Sequence, residues 1–413
     1  MKAVGIVAEY NPFHNGHRWH LEQAKLQSGC SHSVVVMSGH FVQRGEPAIF
    51  DKWSRATMAI EGGVDLVLEM PVLSVVRSAQ YFASGGVRLL NRLGIISHMS
   101  FGMETIDPKL SLIASAIDKK SVKRSISDCL KSGQSYAAAV ANSIAETCNV
   151  DLAVLSSPNN ILAIEYMRAL QKYAPEIIPI PIVRKGHGFH DTVIDDEFAS
   201  ASAIRLAMQS NKQINTQIRS VIPGFVYKLC QKLLQEERGP LTLKRLENII
   251  LAKLRTASPA TLAQLPDVSE GLEYKIFASS LHAGDIEGLL LTMKSKRYPQ
   301  TRLQRILIQL LLEITKNQIE RFNEDGPLYA RVLAFNDRGR SLIKAIQQQN
   351  RLPVITKTSH YLTSKQRYQE YLTPLQKALS ADITATDLYL LGLSSPEWRR
   401  AGRDFLQSPI YLR

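Results

Sequence analysis

The chain has 413 residues, 45% of them hydrophobic and 21% charged, with 50 Lys and Arg against 37 Asp and Glu. That length and apolar content support two or three domains with real cores and exclude a disordered or fibrous chain. No run of about 18 apolar residues occurs, and the N-terminus lacks a charged region followed by an uninterrupted apolar one, so a cytoplasmic protein is expected rather than an exported or membrane-spanning one.

Residues 2–8 (KAVGIVA) form a short apolar run that Asn11-Pro12 stops, which predicts a strand followed by a turn. From Gly16 the apolar positions Trp19, Leu21, Ala24 and Leu26 follow helical spacing as far as Gly29. Residues 31–39, 64–71 and 96–102 read as buried strands, and residues 51–63 and 79–94 as helices between them. Strand and helix alternate with short connections. Such alternation predicts an α/β fold, a parallel sheet covered by helices on both faces, with its ligand site at the carboxyl ends of the strands. Residues 103–150 look helical, SPNN (157–160) opens a long helix, and EIIPIPIVRKG is a strand whose prolines suit a bulge or an edge. HDTVIDDEFASASAIRLAMQS ends in a helix capped by Ser200 or Ser202. Beyond residue 215 helical patterns dominate, with RVLAFN as an isolated strand signal, so the expected division is a catalytic region at 1–215 and a mainly helical region at 216–413.

Charge follows the same division. Residues 241–413 carry 25 Lys and Arg against 16 Asp and Glu, whereas residues 1–240 carry 25 against 21. A basic surplus in one region suits a polyanionic partner, because each neutralised phosphate releases counterions. Cys30, Cys129, Cys148 and Cys230 are scattered without a CxxC pair, so neither a zinc knuckle nor a disulfide framework is expected.

The most specific local feature is HNGH at residues 14–17, on a turn between a strand and a helix. Gly16 lets the backbone approach a ligand, and the free N–H groups of the helix start favour a phosphate. His14 and His17 can donate to phosphate oxygens while partly or fully protonated, as charge builds up at a nucleotide α-phosphate. Two alternatives stand beside this. His14, His17 and His20 could hold a metal, although Asn11-Pro12 starts the helix too late for His14 to share a helical face with the others; or the histidines could be structural.

HNGH resembles the HxGH motif of the nucleotidyltransferase superfamily, and ASASAIR (199–205) its second phosphate-binding element, with Ser200, Ser202 and Arg205 in the matching places. The resemblance narrows through AEYNPFHNGH, SGHFVQRGEPAIFDKWSRA, SFGMET, SPNNILAIEY and RKGHGFHD, in that order, to the bacterial tRNA(Met) cytidine acetate ligase family. It covers nearly all of residues 1–210 and continues more thinly through KRYPQTRLQRIL. It implies a Rossmann-like catalytic domain with a helical tRNA-binding portion. It also implies activation of acetate by ATP as acetyl-adenylate, then acetyl transfer to N4 of the wobble cytidine of elongator tRNA(Met). His40 departs from the asparagine, and Met103 from the serine, expected at those places.

Carried over residue by residue, the resemblance assigns the ATP site to Val7, Ala8, Glu9, Tyr10, Asn11, Pro12, Phe13, His14, Asn15, Gly16, His17, Arg18, Trp19 and His20. His14 and His17 are its catalytic pair. Gly102, Asn160, Arg184, Lys185, Ser200, Ser202 and Arg205 complete the site, with Mg²⁺ expected to accompany ATP. On their residue types, Arg44, Asp51, Lys52 and Arg55 could steer acetate, pyrophosphate or RNA, and Arg44 and Lys52 are the two expected near substrate. KSKRYPQTRLQR offers Lys294, Lys296, Arg297, Arg302 and Arg305 around Tyr298, the cation-and-aromatic pattern of an RNA contact, although Arg302 and Arg305 also fit the polar face of a helix. SPEWRRAGRDF is a second candidate. The competing functions are a small-molecule adenylyltransferase of the same superfamily and a non-catalytic RNA-binding protein.

Overall fold

The computed structural model describes residues 1–134, 136–185, 197–210, 216–269 and 271–413. Residues 186–191 of the RKGHGFHD stretch and 192–196 of the segment after it lie outside the described residues.

Ten strands are described: β1 (Ala3–Ala8), β2 (Ser33–Ser38), β3 (Phe41–Val42), β4 (Glu46–Pro47), β5 (Leu66–Met70), β6 (Ile96–Met103), β7 (Ile178–Val183), β8 (Ala330–Phe335), β9 (Val354–Ile355) and β10 (Ile410–Tyr411). Eight form one sheet in the order β10-β8-β5-β2-β1-β6-β7, and β9 joins β8 beside β10. The five N-terminal strands of that sheet are mutually parallel, with β1 central between β2 and β6. Their order reverses direction at β1, which places a crevice at its carboxyl end. β7 is the edge strand that Pro179 and Pro181 lead one to expect.

Both sheet faces are covered, and β2 shows why its sequence is a continuous apolar run. Val34 and Val36 enter one hydrophobic core while Val35 and Met37 enter the other, because successive side chains point to opposite faces. Helix α1 (Asn15–Ser28) follows β1 and ends at Gly29, whose φ of 64° is the left-handed C-cap that glycine adopts without strain. Helix α2 (Lys52–Glu61) starts at Asp51, whose carboxylate accepts from the backbone N–H of Trp53 and Ser54. Asp51 is therefore a cap and not a steering group.

The sheet does not stop at the expected division near residue 215. RVLAFN forms β8, antiparallel to β5, with Val67 opposite Ala334 and Glu69 opposite Arg331. An apolar run of this kind needs a sheet to bury it, and the nearest open edge is that of β5. The long helical stretch of residues 301–322 is two helices, Gln300–Leu311 and Lys316–Asp325, because Thr315 caps the second with a reciprocal hydrogen bond to Gln318. The first of these packs on the β3–β4 turn. Gly45 has a φ of 79°, and a Cβ there would lie 2.2 Å from the Arg305 backbone nitrogen. Gln304 also donates to Glu46 at 3.0 Å, so the C-terminal helices hold a loop of the N-terminal half.

Candidate active site

A cavity of ≈260 Å³ opens at the carboxyl ends of β1, β6 and β7, lined by the β1–α1 turn, the β3–β4 turn and the start of helix Ala201–Ser210. The turn after β1 is held from several sides. Asn11 accepts from the Ile49 N–H through Oδ1 at 2.9 Å, and its carbonyl accepts from Arg205 at 3.0 Å. Tyr10 has a φ of 45°, a left-handed conformation that a bulky residue keeps only where its surroundings enforce it.

His14 is the N-cap of α1. Its Nδ1 accepts from the Gly16 N–H at 3.1 Å, while the Nδ1 of His17 accepts from the His14 N–H at 3.3 Å. With both Nδ1 atoms used as acceptors, each neutral ring carries its proton on Nε2. The rings stack with centroids 3.7 Å apart, and His14 Nε2 is buried without a hydrogen-bond partner. An orphaned buried donor lining a cavity calls for an acceptor from a ligand.

In the free site the histidines are held toward the neutral form. Burial first, then the Arg184 and Arg205 cations, push His14 down to about 3. Burial, His14, Arg184 and His20 hold His17 well below its ordinary value, and burial with Arg184 takes His20 down to about 4. The free site therefore presents neutral imidazoles, and its positive charge belongs to Arg44, Arg184, Lys185 and Arg205, all of which line the cavity. Arg205 also donates to Ser202 Oγ at 3.1 Å, and Ser200 caps its helix through the Ala203 N–H at 3.0 Å. His20 contacts Ser100 Oγ at 3.0 Å. Lys185 lies 5.1 Å over the Trp19 ring.

Most of the expected site is brought together. Val7, Ala8, Glu9, Tyr10, Asn11, Gly16, Trp19, His20 and Gly102 line the same cavity as the two histidines and the four cations. Gly102 also lets Arg184 pass, since a Cβ there would sit 3.3 Å from its Cγ. Other candidates do not line the cavity. Phe13 is buried in the hydrophobic core and Pro12 in the wall behind the turn. Asn15 donates away from the cavity, to the carbonyls of Glu197 at 3.0 Å and Ser220 at 2.9 Å. Arg18 is exposed and pairs with Glu22 at 3.2 Å. Asn160 braces the end of β6, accepting from the Glu104 N–H at 3.0 Å and donating to the Val154 carbonyl at 3.0 Å. Its neighbour Asn159 lines the cavity instead, as do Phe82, Phe101 and Tyr166, whose apolar character reads in sequence as core.

Lys52 does not line the cavity. It is 0% exposed and bridges Glu69 and Asp404, each at 2.8 Å, in a cluster completed by Arg331. Arg55 is likewise buried, donating to the carbonyls of Glu9, Ser38 and Phe50. His40 packs on Tyr389 with centroids 4.4 Å apart and Met103 sits in the core, so neither departure from the family pattern enters the cavity wall. Among the RNA candidates, Tyr298 is 9% exposed and cannot stack on a base. Arg302 donates to the Asp267 carbonyl and Arg305 pairs with Asp267 at 2.8 Å, whereas Lys294, Lys296 and Arg297 are exposed. In SPEWRRAGRDF, Arg399 donates to the Leu393 carbonyl at 2.7 Å, Arg403 lies over Trp53 and Trp398, and Asp404 belongs to the buried cluster.

The model of the HIGH Nucleotidyl Transferase family matches residues 1–404. The chain belongs to that family. Within it, the chain is 40% identical over 417 residues to the tRNA(Met) cytidine acetate ligase of Thermoanaerobacter sp. strain X514, with the whole of both proteins covered. It is 38% identical to the enzyme of that name from Syntrophomonas wolfei, with 99% of each covered. The crystal structure of apo Thermotoga maritima TmcAL superposes with a TM-score of 0.93 at 31% identity, covering all of both chains. The same protein bound with alpha-thio ATP gives 0.91 at 30% identity, again over all of both chains. HIGH nucleotidyl transferase membership accounts for the pairing of HNGH with ASASAIR around one crevice.

Proposed function

We propose that the chain is an ATP-dependent tRNA(Met) cytidine acetate ligase that forms acetyl-adenylate and acetylates N4 of the wobble cytidine. The observation that carries this reading is the orphaned Nε2–H of His14 within a cavity ringed by four cations, beside a helix start. The names of the curated relatives and the ATP analogue bound by the T. maritima protein support the same reading. In the first step an acetate oxygen attacks the α-phosphorus of ATP and pyrophosphate leaves. His14 and His17 donate hydrogen bonds to the α-phosphate without adding charge, while Arg44, Arg184, Lys185 and Arg205 balance the polyphosphate. In the second step the cytosine amine attacks the carbonyl of the mixed anhydride, which supplies the driving force that the weakly nucleophilic amine lacks. The apolar wall of Phe82, Phe101 and Tyr166 keeps water from that anhydride.

Among the described residues no group of three or more His, Cys, Asp or Glu gathers to hold a metal. The donor set therefore does not form a metal cage, and Mg²⁺ belongs to this reading only as the companion of ATP, on its phosphate oxygens. Lys294, Lys296 and Arg297 form the exposed basic turn that meets the RNA backbone. Among the described residues no helix is long and apolar enough to cross a membrane. The deciding experiment follows label from [¹⁴C]acetate into tRNA, with and without ATP, by nucleoside analysis. ATP-dependent label in N4-acetylcytidine is expected. Unlabelled RNA beside acetate-dependent loss of ATP to AMP and pyrophosphate points to a small-molecule acceptor.

A further inference from the structure

Glu9 has the wrong sign for acetate activation. Acetate and ATP are both anions, and four of the side chains around the cavity are cations, yet Glu9 puts a carboxylate among them. It is the one acidic side chain among the described residues lining the cavity. A like charge there opposes binding of both substrates of the first step.

Its placement is nevertheless built by three elements. Glu9 follows the end of β1, its carbonyl accepts from Arg55 of α2 at 2.5 Å, and its Oε1 accepts from the Gln43 N–H of the β3–β4 turn at 2.7 Å. Arg55 is itself buried and bonded to the carbonyls of Ser38, Gly39 and Phe50, so Glu9 rests on a fixed support. The helix Gln300–Leu311 fixes the β3–β4 turn from behind. Glu9 is thus held in the cavity wall by fixed partners.

The second step supplies a use for it. The cytosine amine must lose a proton as it becomes an amide, and acetate activation releases none. Resting on the function proposed above, we infer that Glu9 is the general base of acetyl transfer. The amine nitrogen forms its bond to the acetyl carbon, and the carbon–oxygen bond of the anhydride breaks with its electron pair going to AMP. The amine proton goes to the Glu9 carboxylate, which returns it to solvent after AMP leaves. The charged and titratable groups facing Glu9 are Arg205 and Arg44 across the cavity, Arg55 beneath it and Tyr166 from the helix Pro158–Tyr173. Burial raises its carboxyl above the ordinary value, and the Gln43 N–H and those arginines pull it back only in part. A raised carboxyl is a stronger base once ionised, so acetyl transfer rises with pH through the ionisation of Glu9 and is level above it.

The test uses Glu9→Gln, which keeps the oxygen that accepts from Gln43, in the full-length enzyme. Transfer from preformed acetyl-adenylate to tRNA in a single turnover is expected to fall by about 100-fold or more, far more than acetate-dependent exchange of pyrophosphate into ATP changes. The pH dependence of the residual transfer should be flat. Undiminished transfer in the variant overturns the role of Glu9 alone. Equal loss of exchange and transfer, restored by excess Mg²⁺, overturns it as well and places Glu9 on the phosphate side. Wild-type single-turnover transfer gives an independent check, because a rate that shows no fall on the acid side also overturns it. Absence of acetate-dependent exchange in the wild type overturns the proposed function along with it.

Discussion

His14 serves two purposes with one ring, and separating them is possible. Nδ1 caps α1, while Nε2–H waits for a ligand oxygen. Asparagine is a good N-cap but too short to reach the same ligand oxygen. His14→Asn should therefore keep the thermal midpoint close to wild type while acetate-dependent pyrophosphate exchange falls by about 10²–10³-fold, the cost of removing one preorganised donor. A midpoint lowered with exchange intact would show that the ring is only a cap. Asn159 and Asn160 illustrate the reach of sequence at this scale. Adjacent helical residues are rotated by about 100°, so one of two neighbouring asparagines lines the cavity while the other turns inward to hold Glu104. SPNN says that an amide stands at the helix start, and only the helix phase says which one faces the ligand. The protonation state of the histidines was equally out of reach, because burial and the Arg184 cation decide it and both come from elsewhere in the chain.

Between elements, charged residues do structural work that their sequence does not announce. Lys52 and Arg331 against Glu69 and Asp404 make a neutral buried cluster joining α2, β5, β8 and the short helix Arg403–Leu406. Removing one partner leaves an uncompensated buried charge, typically at a cost of about 3–5 kcal/mol. Lys52→Ala should accordingly lower the denaturation midpoint strongly, and the activity lost should track the unfolded fraction. Full stability with lost acetate dependence would return Lys52 to the substrate. The same lesson holds for the helix Gln300–Leu311. Its basic positions look like an RNA contact in sequence, but Arg302 and Arg305 face Asp267, and the backbone beside Arg305 seats Gly45 of the active-site turn.

Across the whole molecule, the two halves share one sheet, and the C-terminal half supports a turn of the site from behind. The exposed cations of the basic turn, Lys294 and Lys296 with Arg297, are the surface proposed above for the RNA backbone. Reversing Lys294 and Lys296 to Glu should weaken tRNA binding and flatten its salt dependence by about one unit of slope per lost phosphate contact, leaving pyrophosphate exchange unchanged. Filter binding across a salt series reads this, and an unchanged slope would exclude this turn from the RNA interface. By itself the sequence determined the alternating β/α order, the crevice at the end of β1, and the pairing of HNGH with ASASAIR, because these rest on local periodicity, turn chemistry and short motifs. Only the tertiary structure decided that β8 completes the N-terminal sheet, that Lys52 and Arg305 are buried in ion pairs, and that Glu9 stands among Arg205, Arg44 and Arg55. Those depend on contacts between residues up to 352 positions apart, such as Lys52 with Asp404, and no local pattern carries them.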